Sequence, residues 1–259
     1  VKSQASQRVA EDALLKAQQN FALYVKEKEH RFEDGLISTE SLRKANITSN
    51  ASSYATAMSQ LKAAMKVSPH NKGIYSRKVL LHIFYEEFAK ALKDYPKTDK
   101  KKFLADSIEA IKEFEPFFNK KGQLGNEHFY SLLQKLQNSG NKWVAGNIAM
   151  SRQKRIKGRE AHLSFITTVL QKLNAKQGGW DWQFKTDDGV IFSRFSLQSH
   201  KNVHSLIGLS GCKVSYLDLS HLKSISLADL VFIFIKKLNL YDSGLRGVEN
   251  LKRVNGLEE

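Results

Sequence analysis

The residues able to do chemistry fall into a few groups. His200, His204, Cys212 and His221 supply imidazole and thiolate ligands of the kind zinc takes. His200 and His204 are four apart, which on a helix would face both rings one way. This stretch is turn-rich instead, and no Cys-x-x-Cys pair accompanies it, so no metal is expected. Cys212 as a nucleophile would need a base and an exposed electropositive setting. As the single cysteine it excludes an internal disulfide, fits a reducing compartment and reads as a small buried apolar residue. Asp187-Asp188 precedes Gly189 in a hairpin signal, where aspartate is expected for its turn chemistry alone. No Gly-rich phosphate loop, Gly-x-Ser-x-Gly elbow or His-Glu-x-x-His pair is present. The reading is of a non-catalytic chain with no catalytic residue, no cofactor and no small-molecule substrate.

The other chemically active group is basic. Arg152, Lys154, Arg155, Lys157 and Arg159 cluster near Trp143 and His162, and Lys97, Lys100, Lys101, Lys102, Lys120 and Lys121 form smaller groups. The net charge is +15, with +14 of it in residues 1–178 and +1 from Gly179 onward. Such density suits phosphates, so a nucleic acid or an anionic membrane surface is a possible partner. The competing reading is the wet face of a helix. The longest apolar run, Leu230 to Ile235, is far short of the ~20 residues a helix needs to span a bilayer.

Periodicity shows what must hold these groups in place. Phe192-x-x-Phe195-Ser196-Leu197, Val214-x-x-Leu217-Asp218-Leu219 and Ile235-x-x-Leu238-Asn239-Leu240 repeat one pattern, and Leu257 opens a fourth. Their starts are 22, 21 and 22 residues apart, and a second apolar pair recurs at Leu206/Leu209, Leu227/Leu230 and Val248/Leu251. Alternation along a strand sends Leu217 and Leu219 to one side and Asp218 to the other. Units this small bury too little alone and are expected to stack.

The stretch from Phe192 to Glu259, 68 residues, resembles a leucine-rich repeat. It departs from that family at the turn asparagine, whose slot holds His200, Leu222 and Ser243. The resemblance implies an arc whose concave face binds protein through Arg194, Ser196 and Gln198, then Tyr216, Asp218 and Ser220, then Lys237, Asn239 and Tyr241. No capping unit follows, so more repeats are expected beyond Glu259 in a longer protein.

Helical spacing predicts a helix from Ser3 to about Asp34, as a packing helix or a stem, and a second from Ser38 or Thr39 to Val67 with a break near Thr48–Asn50. Others are expected over Ile74–Asp94, from Thr98 or Asp99 to Pro116, and at about 127–138, 140–157 and 159–175. Tyr54-Ala-Thr-Ala57 through Val67, ending in Ser68-Pro69-His70-Asn71, is similar to the second helix of a tetratricopeptide repeat, as is Phe88 to Tyr95. A 34-residue period and the family's Trp and Leu-Gly positions are missing. Gln177-Gly178-Gly179 marks a boundary. Trp180, Trp182 and Phe184 then alternate before the Asp188-Gly189 turn, as a hairpin lid on the repeat sheet rather than an exposed aromatic site.

The expected fold is therefore mixed α and β. A tetratricopeptide-like helical domain fills 1–178, a β-hairpin cap 179–191, and a leucine-rich repeat solenoid 192–259. The combination is loosely similar to the non-catalytic part of bacterial multidomain serine/threonine kinases, though no kinase motif is present. The expected role is a protein-binding scaffold.

Overall fold

The computed structural model describes residues 51–67, 69–174, 185–187, 191–197, 203–223 and 225–245, with 251, 254, 256 and 257. The helix expected over Ser3–Asp34 and the aromatics Trp180, Trp182 and Phe184 lie outside the described residues. Among the described residues are seven helices longer than one turn and one small sheet.

Helix α1 (Ala51–Val67) buries Ala57, Met58, Leu61 and Ala64, a stripe at helical spacing. Pro69 lies beyond its end, and Asn71 caps α2 (Lys72–Phe84) by accepting the Gly73 N–H at 3.0 Å. The expected helix from Ile74 to Asp94 is broken. Glu86 adopts φ 61°, in the left-handed region, and α3 (Phe88–Asp94) starts anew. Then follow α4 (Lys102–Lys112), whose buried stripe is Leu104, Ile108 and Ile111, and α5 (Asn126–Asn138). Gly140, at φ 81°, ends α5: its N–H meets the Gln137 carbonyl while the Asn141 N–H reaches back to Leu136. Every residue of α6 (Lys142–Gln153) from Val144 to Ser151 is buried, so this helix runs through the middle of the molecule. Helix α7 (Arg159–Leu173) completes the helical part.

The sheet has strands β1 (Lys185–Asp187), β2 (Ile191–Ser196), β3 (Lys213–Asp218) and β4 (Phe234–Asn239), in that order. β1 pairs antiparallel with β2, and β2, β3 and β4 are parallel. The 21–22-residue spacing appears as register: Phe192 meets Val214 and Val214 meets Ile235, while Phe195 meets Leu217 and Leu217 meets Leu238.

The architecture corrects both family resemblances. The three parallel strands form a small sheet that does not curl, and no curved solenoid is present among the described residues. A solenoid unit touches only its neighbours. Here the segments returning from one strand to the next pack on helices. Gly208 lies against Leu170 and the Ile166 carbonyl of α7, so closely that an added Cβ would come 2.6 Å from Leu170 Cγ. Phe232 covers Gly146 of α6 in the same way. Ile166 and Leu170 belong to the same apolar cluster as Leu206, Leu217 and Leu230. The sheet and its returns are thus one side of a mostly helical body, and a hairpin-capped leucine-rich repeat array is not formed. No tetratricopeptide array is seen among the described residues either. Helices of 17, 13, 7 and 11 residues follow one another in α1 to α4, so no equal pair recurs. The comparison with kinase-linked scaffolds rested on those two repeats and falls with them.

Candidate functional site

The strand face and the basic cluster differ in what the fold does to their side chains. On the sheet, Asp218 and Ser220 are buried rather than presented outward. Asp218 Oδ1 accepts the Ser220 N–H at 3.0 Å, the Ser220 hydroxyl at 2.7 Å and the Asn239 amide at 3.1 Å. Asn239 Oδ1 in turn accepts the Tyr241 N–H at 3.0 Å. Both residues use a short polar side chain to close the turn that ends their own strand. The turn residue is therefore at 218 and 239 rather than at Leu222, which is buried, or Ser243; His200 lies outside the described residues.

What remains of that face is Tyr216, Lys237 and Tyr241, with Ser196 half-buried beside Asp218. Tyr216 and Lys237 are register partners, and Tyr241 is 72% exposed with His221 edge-on to its ring at 5.6 Å. His221 and Lys223 pair with Asp242 at 3.1 and 2.6 Å. These partners hold the Asp242 carboxyl below its usual range, Lys223 foremost. Arg194 lies on β2, and Gln198 is outside the described residues.

The basic cluster is split. Arg152 and Arg155 converge on Glu86, whose side chain is 2% exposed. Arg152 Nε lies 3.0 and 2.9 Å from the two Glu86 oxygens, and its Nη2 also donates to Oε2. That same Nη2 reaches the Leu124 carbonyl at 3.0 Å, and the guanidinium carbon sits 3.5 Å from the Phe129 ring centre. Arg155 donates to Glu86 Oε1, to the Tyr85 carbonyl at 3.3 Å and to the Ser151 carbonyl at 3.1 Å. Lys154 is half-buried, and burial lowers its pKa. Lys157 and Arg159 are exposed. Two of the five expected anion-binding groups are therefore committed to one internal carboxylate.

A cleft of about 590 Å³ opens beside this triad, lined in part by Tyr130, Phe165, Asn126 and Ile156. Sequence reasoning missed Glu86 and these neighbours. The available signal was Glu86-Glu87, an acidic pair ending an apolar helix in a strongly basic region.

A second polar cluster pins α1 to α2 and α3. His82 Nδ1 lies 2.6 Å from Glu87 Oε2 and its Nε2 lies 3.6 Å from Asp94, which Lys78 also meets at 2.6 Å. The Tyr54 hydroxyl donates to Glu87. Burial lowers the His82 pKa and outweighs the pull of Glu87. For Glu87 burial acts upward, but bonds from Lys90, Tyr54 and His82 hold it below its usual range.

Cys212 is fully buried, and burial pushes its thiol up to about 12 against a hydrogen bond from Gln153 at 3.0 Å. That is the opposite of an activated thiolate. His204 is exposed, with its backbone N–H bound to Asn174. Among the described residues no group of three His, Cys, Asp or Glu side chains is placed to hold a metal ion. No protein-family sequence pattern, no curated protein and no solved structure matches this chain.

Proposed function

We propose that this chain is a non-catalytic interaction module that docks a protein partner on the polar face of its sheet. The observation supporting this is Tyr241, a large ring 72% exposed in the turn two residues past β4, the strand on which Lys237 pairs with Tyr216 of β3. Tyrosine offers contact area with few rotatable bonds and a polar tip, which is why it is enriched at interfaces. The backbone beneath it is already ordered by the Asp218 and Asn239 turns, so binding there would lose little further conformational freedom.

The test is affinity capture from cells that express the protein. Wild type is compared with a Tyr216→Ala/Lys237→Glu/Tyr241→Ala variant whose folding is checked by circular dichroism. Loss of specific partners from the variant supports the reading, and an unchanged partner set discards it.

A further inference from the structure

We propose that the cleft beside Glu86 binds a small ligand carrying one anionic group on a flat apolar body, an aryl carboxylate or an aryl phosphate. Its volume of about 590 Å³ falls within the range of small-molecule sites, roughly 300–1,000 Å³.

The charge of the ligand follows from a count of donors. Both Glu86 oxygens are occupied by arginine N–H groups and the side chain is buried, so the carboxylate has nothing left to offer a cation. The arginines are not exhausted. Their contacts to described residues leave one N–H on each terminal nitrogen of Arg155 and one on Arg152 Nη1. Asn126 turns its oxygen to Arg152 at 3.3 Å, which leaves its NH2 end as a further donor. Two guanidinium groups against one carboxylate leave a net charge of +1 in the lining. A surplus of donors with a single positive charge calls for one anionic group.

The apolar body follows from the walls. Tyr130 and Phe165 line the cleft with ring centres 6.2 Å apart and planes tilted by 41°, and Ile156 adds aliphatic surface. The donors are held before any ligand arrives. Arg152 is fixed between Phe129, the Leu124 carbonyl and Glu86, and Glu86 itself is held at φ 61°. A guanidinium ordered in advance loses little freedom on binding. Strained backbone conformations of this kind cluster at ligand sites.

The test is a titration of the complete chain, followed by saturation-transfer NMR and calorimetry. The probes are naphthalene-2-carboxylate and 2-naphthyl phosphate, with naphthalene-2-methanol as the neutral control and inorganic phosphate as the control without a ring. Both anionic aryl probes are expected to bind saturably, about 10-fold or more tighter than the alcohol, as a charge-assisted bond implies. The tighter of the two assigns the head group. Arg155→Gln is expected to weaken binding about 10-fold by the same bond. Ala161→Trp, at an exposed lining position on α7, is expected to fill the cleft and abolish binding while the fold persists. Binding of the alcohol as tight as that of the anions overturns the proposal. So does binding that Ala161→Trp leaves unchanged, and so does the lack of saturable binding by either aryl anion.

Discussion

Among the described residues, two turns carry an acidic side chain on a left-handed backbone, and they work on different scales. At the α2–α3 joint, Glu86 has φ 61° and is buried against Arg152 and Arg155, 66 and 69 residues away. After β4, Asp242 has φ 48° and pairs in the open with His221 and Lys223, 21 and 19 residues away. Both are carboxylates that meet two basic side chains. The surroundings decide its consequence, because a desolvated carboxylate without its partners is costly whereas an exposed one is stabilised by water.

The sharpest way to break this comparison is Glu86→Ala, which leaves two guanidinium groups facing each other without their shared anion. It should destabilise the fold by about 3–5 kcal/mol, read from urea midpoints. Asp242→Asn should leave the midpoint where it is, and equal effects of the two would refute the contrast.

Next in size is Gly208→Ala. A Cβ there would meet Leu170 Cγ and the Ile166 carbonyl, and the backbone has little room to shift. Overpacking of this kind costs about 1–3 kcal/mol, and wild-type stability would mean the sheet side can slide away from α7. Asp218→Ala should cost about 1–2 kcal/mol, since it removes the acceptor of three donors at a buried turn. The same change at exposed Tyr241 should stay within about 0.5 kcal/mol.

A graded effect should appear with pH. His82 has a depressed pKa, so the unfolded chain takes up its proton first and stability falls as pH drops below about 6.5. Glu87 is also depressed: its contribution is present above its unfolded value of about 4.3 and is lost as pH falls through the lower folded value. Both push the same way, toward acid lability. Tyr54→Phe removes one bond to Glu87 and should bring its loss to a higher pH in acid titrations followed by circular dichroism.

Several elements were legible in the residues. The helices near 127–138 and 159–175 are α5 and α7 within two residues, because their apolar stripes and the Gly140 and Gly158 joints are local signals. The 21–22-residue rhythm set the register of β2, β3 and β4. The architecture did not follow from that rhythm. Leu206, Leu209 and Leu230 close a core, but they close it together with Ile166 and Leu170, which no spacing within the repeats could announce. The candidate sites fared similarly. Exposed Lys237 follows from strand alternation, whereas the burial of Asp218 depends on the Ser220 hydroxyl and the Asn239 amide donating to its carboxylate. Arg152 and Arg155 read as a surface charge run until Glu86 is brought to them from another helix.

The sequence alone determined the periodic elements, the lone buried thiol and the unequal distribution of charge, since each depends on spacing or composition. Only the tertiary structure decided that the strands lie against helices instead of forming an arc, and that two arginines serve an internal carboxylate. Both are contacts between residues far apart in the chain. Their energy comes from excluding water between surfaces that no local pattern brings together.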